Sequence, residues 1–473
     1  MLNKAKKHKQ NLILLVILGV SLIMWYLPVS AALPENGWHL LIIFIATIIG
    51  IVLNPLPMGV ITLLSILACV LTNTLSLAEC LSGFSDSIVW LIIFAFFISN
   101  GFIKTGLGSR IAYYVLSKIG HSTLGISYAL VIADFILSPL IPSASARGGG
   151  IIFPIAKSIC KSFSDEEHPG ISSRNGGFIM SVCAQSTVIT STLFITAMAA
   201  NPLAVKFAAS AGIAISWTDW ALAAIVPGIV SLGVMPLVVY YLYPPTIRYS
   251  NSAPQIAKEK LDAMGKISLH EIIMMAVFVI LIALWINGSK FGLSPTTVAL
   301  LGLSILLVAK VIHFEDNLAD KGAWHTFIWF GTLVMLSDFL SKFGLMTWFG
   351  SKLQFFLMSS SPVNSLIILS LIYFYIHYFF ASTTAHISVL LPTFLVLFIN
   401  AGVPGVIAAL ILSFLSTLSS GLTHFGLSST PIFFGAGYMR TKDWWYIGWI
   451  TSIVYLLIWV GVGGMWWKLL NLW

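Results

Sequence analysis

Charge is scarce in this chain. Asp, Glu, Lys and Arg make up 8% of its 473 residues, against about 25% in soluble domains, so water is not its main solvent. Acids are the rarer sign, 16 against 24 bases. Cysteine is rarer still: Cys69, Cys80, Cys160 and Cys183 stand without CxxC spacing, which indicates neither a metal site nor a disulfide framework. The sequence holds no His-Glu-x-x-His and no paired aspartates in its apolar runs, and its hydroxyl clusters lack the Gly-x-Ser-x-Gly frame of a seryl nucleophile. An enzyme is therefore not expected, and no cofactor or metal. Basic patches interleaved with aromatics are also missing, so nucleic acid is not an expected partner.

Apolar residues fill the space. They make up 58% of the chain, and the mean hydropathy is +0.97. Runs of roughly 17–25 apolar residues, each able to cross about 30 Å, recur throughout. About eleven spans are predicted, beginning near residues 11, 37, 58, 87, 175, 220, 270, 295, 324, 404 and 444. Two further apolar blocks, 123–162 and 362–401, are interrupted by polar residues and read as re-entrant hairpins. The predicted fold is thus an all-α polytopic membrane protein. Lys4, Lys6, Lys7 and Lys9 place the N-terminus inside; Lys104, Arg110, Lys118, Arg174, Arg248 and Lys266 then fall on the same side. Few bases fall opposite (Lys290, Lys342, Lys352, Lys468), which predicts a C-terminus outside. The run ending at Ser30-Ala31-Ala32 reads better as a retained first helix than as a signal peptide.

One plan occurs twice. Ser143-Ala144-Ser145-Ala146-Arg147 interrupts the first hairpin, and Ser382-Thr383-Thr384-Ala385-His386 the second. Before them, Ile103-Lys104-Thr105-Gly106-Leu107 resembles Ser341-Lys342-Phe343-Gly344-Leu345. After them, each half has a long span broken near a proline, at Asn201-Pro202 and Thr430-Pro431. Thr218-Asp219-Trp220 and Lys442-Asp443-Trp444 then open the last spans. Five spans and a hairpin per half is an odd number of crossings, so the halves are inverted. Inverted repeats with broken helices are the sequence signature of a secondary transporter with a site near the midplane.

Small hydroxyl residues beside a cation are costly at membrane depth unless they line a cavity. At a hairpin tip they would cap the unpaired N–H groups of the second arm, which carry partial positive charge. Two such tips facing one cavity suit an anion with a carboxylate at each end. The expected substrate-binding residues are Ser143, Ala144, Ser145, Arg147, Asn201, Ser382, Thr383, Thr384, His386, Thr423 and His424. Arg147, always charged, is expected to face the cavity, the alternative being a salt bridge to Asp134. His377 is expected to pack.

These residues resemble the divalent anion:sodium symporter family, whose tips usually read Ser-Asn-Thr or Ser-Asn-Ser; here both copies lack the Asn. Ala146-Arg147-Gly148-Gly149-Gly150-Ile151-Ile152, Leu422-Thr423-His424-Phe425-Gly426 and Phe433-Phe434-Gly435-Ala436-Gly437-Tyr438 look most like its branch of citrate/succinate antiporters and 2-oxoglutarate/malate translocators. The resemblance implies an elevator-type homodimer. Its scaffold would be 1–120 and 269–360, its moving part 121–245 and 361–473, joined by a cytoplasmic linker at 246–268. It implies exchange of dicarboxylates such as 2-oxoglutarate, malate, succinate and fumarate across a bacterial inner membrane, independent of Na⁺. A Na⁺- or H⁺-coupled uptake symporter is the alternative.

Overall fold

The computed structural model describes residues 2–27, 34–163, 169–250, 252–345, 348, 361–380 and 382–472. Asn251 of the expected linker and Lys352 lie outside the described residues. Among those described there is no strand, only a single bridge between Ser122 and Tyr249. Helices coincide with all eleven predicted spans: Leu2–Trp25, Glu35–Leu53, Met58–Leu71, Ser87–Thr105, Pro169–Leu193, Trp217–Leu242, Leu269–Asn287, Pro295–Val308, Lys321–Lys342, Gly405–Leu418 and Thr441–Leu456. The two interrupted blocks are helical hairpins. The first runs Thr123–Leu137, then Ser145–Ile152 and Phe153–Ser162; the second runs Pro362–Tyr375, then Thr383–Asn400. By length and apolarity alone, eight described helices reach a membrane-spanning size, and the second hairpin's arm Thr383–Asn400 is one of them.

Local chemistry explains where these helices begin. Ser122, Ser216, Ser268, Ser294 and Ser361 each accept a hydrogen bond from the first turn of the helix they precede. Ser216 and Ser268 form capping boxes with Asp219 and Glu271. The repeated Lys-x-Gly-Leu segments mark where spans end. Gly106 and Gly344 have φ of 75° and 78°, the left-handed conformation that closes a helix and that only glycine adopts freely.

Both long spans predicted to break do break. Pro169–Leu193 gives way to extended backbone at Phe194 and resumes as Ala200–Ser210. Gly405–Leu418 ends in a short turn, Thr423 is extended, and Thr430–Phe434 follows with Pro431 in its first turn.

Several ion pairs tie separate segments together. Lys104 pairs with Asp316 and Arg110 with Glu271, while Arg110 also donates to the carbonyls of Met264 and Gly265. These are segments predicted to share the cytoplasmic side. Elsewhere Lys206, in the second half of the first broken helix, bridges Asp86 at 2.7 Å and Asp338 at 3.1 Å.

Candidate functional site

Both hairpin tips enter one cavity. A hollow of about 490 Å³ is lined by Ser143, Ala144 and Ser145 of the first tip and by Ser382, Thr383 and Thr384 of the second. The breaks of both interrupted spans reach it, through Met198–Ala200 and Phe425–Ser428. Helix Lys321–Lys342 closes the opposite wall with His325, Thr326 and Trp329, beside Met58 and Phe96. Its volume lies within the range of small-molecule sites. A second polar hollow, lined by Asn100, Lys104, Asp316 and Asp320, shares Phe96, Ser143 and Gly322 with it.

The tips differ in how much of their polarity is already engaged. Ser143 Oγ accepts from the N–H of Ala146 at 3.2 Å. Ser145 Oγ donates to Ser428 Oγ at 3.0 Å, and Thr383 Oγ1 donates to the carbonyl of Gly426 at 3.2 Å. One loop of the second broken helix therefore holds both tips. Ser382 and Thr384 have no side-chain hydrogen bond of their own among the described residues. Behind Ser382, the first N–H groups of Thr383–Asn400 have no partner within the helix. Free donors from both ends of the cavity are thus available to an anion.

Glycines let the tips approach so closely. A Cβ on Gly148 would lie 3.1 Å from Thr187 and 3.2 Å from Ser429, and one on Gly149 would lie 2.4 Å from Ile432. Gly150 faces open space. Gly148 thus sits in tight packing, Gly149 faces only the movable end of Ile432, and Gly150 meets nothing.

Five of the expected ligands lie off the cavity wall. Arg147 is fully buried, and every one of its five donors is engaged. Nε donates to Asp134 at 2.9 Å, Nη1 to the carbonyls of Ile141 and Ala197, and Nη2 to Thr190 and Ser191. Thr190 in turn bonds Asp134. The expectation that Arg147 faces the cavity is corrected: a buried guanidinium this far from water is stable only when paired and fully hydrogen-bonded, and Asp134 meets that need from the hairpin's own first arm.

His386 occupies the matching place in the second hairpin and is turned the same way. Its Nε2 lies 3.0 Å from the carbonyl of Tyr373, and its ring packs edge-on against Tyr373 and His377. Both side chains reach thirteen residues back, Arg147 to Asp134 and His386 to Tyr373. The repeat therefore preserves a staple between hairpin arms. His377 is buried as expected, but it is not the satisfied packing residue the sequence suggests, since neither ring nitrogen has a hydrogen-bond partner among the described residues.

Asn201, also buried, donates to the carbonyls of Ser191 and Phe194. Those carbonyls lose their helical partners at the break, and the amide supplies replacements. Trp220 does the same for Thr192, which accounts for one copy of the Asp-Trp motif. Thr423 is buried with its hydroxyl unpaired, and His424 accepts from Trp445 Nε1 at 3.0 Å outside the cavity.

Ser428 and His325 were missed from sequence. Ser428 lies within the small-residue stretch Gly426-Leu427-Ser428-Ser429-Thr430 just before Pro431 and carried a weak signal. His325 carried none, since it stands alone in its span with no counterpart in the other half.

The family described as the sodium:sulfate symporter transmembrane region matches residues 7–473. The chain is 47% identical to the chloroplastic dicarboxylate transporter 1 of Arabidopsis thaliana, over 97% of this chain and 83% of that protein. It is 32% identical to the citrate/succinate antiporter of Escherichia coli (strain K12), over 97% of both chains. Among solved structures, the Alcanivorax borkumensis YdaH transporter matches with a TM-score of 0.55 at 12% identity, covering 98% of both chains. That last likeness concerns the fold alone.

Proposed function

The chain belongs to the sodium:sulfate symporter family, a family of transporters, and on that footing we propose that it exchanges C4-dicarboxylates and 2-oxoglutarate across a membrane. The observation that carries this reading is the meeting of two hydroxyl-bearing hairpin tips in one cavity. Each tip offers hydroxyls and helix N–H groups to one carboxylate of the dianion. The relatives named for dicarboxylates and for citrate and succinate support the substrate class.

Na⁺ independence is supported by what surrounds Arg147. Carbonyls of Ile141 and Ala197, the hydroxyls of Thr190 and Ser191, and Asp134 point at one guanidinium. Freed carbonyls at helix breaks hold Na⁺ in other transporters; here a covalently attached cation takes those oxygens. Asp134 offsets its charge, so Arg147 does not by itself hold back the empty carrier. Exchange rests instead on the tip donors left without a protein partner, the hydroxyls of Ser382 and Thr384 and the first N–H groups behind them, which an anion would take up.

In the elevator reading, 121–245 and 361–473 move against a scaffold formed by 1–120 and 269–360, within a homodimer whose N-terminus is cytoplasmic. The seam between the parts is spanned by Lys206 with Asp86 and Asp338.

The site is tested by Ser145→Ala combined with Thr384→Ala. Each hydrogen bond to a charged group is worth roughly 1.5–3 kcal/mol, so apparent succinate affinity should fall at least tenfold while the protein remains folded. Unaltered affinity in a folded double variant would remove the two-tip site.

A further inference from the structure

We infer that His325 is a substrate-contacting residue supplied by the opposite wall, and that it touches the anion from only one side of the membrane. This rests on the proposed two-tip site and on the movement of the tips past helix Lys321–Lys342.

With Arg147 and His386 withdrawn into their hairpins, His325 is the one ionisable side chain in the cavity wall among the described residues. It sits five residues into Lys321–Lys342, exposed to the cavity, with no hydrogen bond or ion pair among the described residues. Its ring packs over Gly59, where a Cβ would stand 3.5 Å away. The helix start that carries it is fixed in place. Asp320 caps it through the N–H of Ala323 and accepts from Asn100 Nδ2 at 3.1 Å, and Trp324 Nε1 donates to Asn317. A donor-capable ring held on a rigid mount faces tips whose own donors reach the anion from the other direction. It completes the enclosure that two hairpins alone leave open.

The hairpins belong to the part that moves, whereas His325 belongs to the part that does not. Tip contacts therefore accompany the substrate through the whole cycle, and the His325 contact exists only while the cavity faces as it does here. In this arrangement the cavity adjoins the hollow lined by Lys104 and Asp316, at the end read as cytoplasmic. His325 should then raise affinity at the cytoplasmic face alone.

The test is succinate exchange in right-side-out and inside-out membrane vesicles carrying wild type, His325→Leu or His325→Gln, with the Ser145→Ala/Thr384→Ala double variant beside them. Thermal stability in detergent checks that each is folded. His325→Leu, which removes the donor, should raise the half-saturating succinate concentration roughly tenfold at the cytoplasmic face and leave the other face unchanged. His325→Gln, which keeps an amide donor at about the reach of the imidazole, should fall between. Equal shifts at both faces, or no shift at either, would overturn it. The double variant should weaken both faces; if it weakens neither while His325→Leu acts on one, the two-tip reading fails and the His325 contact stands on its own.

Discussion

Arg147 directs its five N–H groups at oxygens of its own hairpin and of the broken helix behind it. Removing one partner of a buried ion pair strands the other, at a cost of about 3–5 kcal/mol. Arg147→Gln is therefore expected to lower the melting temperature sharply, with Asp134 left unpaired. Arg147→Gln combined with Asp134→Asn should recover part of the loss. A stable Arg147→Gln protein with lost succinate affinity would return Arg147 to the cavity. The tip hydroxyls were legible in the sequence because two matched copies of a costly feature call for one explanation. The role of Arg147 was only half legible: a cation at membrane depth signals a partner or a ligand, and the choice depends on whether Asp134, thirteen residues earlier, faces it across the hairpin. Asn201 was misread for a similar reason. An amide beside a helix break can serve the substrate or the backbone, and here two freed carbonyls take it.

At the scale of the element, the spans were legible because crossing a bilayer demands apolar length and little else. The hairpins were legible because a polar break inside such length has few other uses. The π-helical geometry of Ser145–Ile152 was not, since no periodicity in so short and glycine-rich a segment distinguishes it from an α-helix. The paired Lys-x-Gly-Leu segments now have a cause, which can be checked. An Ala at Gly106 or Gly344 must adopt left-handed backbone, costing about 1–2 kcal/mol. Each substitution should lower thermal stability by a similar amount. Gly233→Ala, inside helix Trp217–Leu242 with open space around it, should leave stability unchanged or slightly raised. No loss at Gly106 and Gly344 would mean that the repeated glycines serve something other than helix termination.

For the whole molecule, we propose that two hairpins hold a dianion between them and that a tethered guanidinium takes the oxygens a Na⁺ ion would otherwise claim. The repeated order of elements could be read from the chain, because each half runs through the same sequence of termination, hairpin, break and final span. The wall that faces the tips could not, because His325, Thr326 and Trp329 come together with them only through tertiary packing. The most direct measurement is counterflow in liposomes carrying the purified protein. Liposomes loaded with unlabelled succinate should accumulate labelled succinate in the complete absence of Na⁺, and unloaded liposomes should accumulate almost none. Strong uptake into unloaded liposomes driven by a Na⁺ gradient would contradict the account and make the protein a symporter.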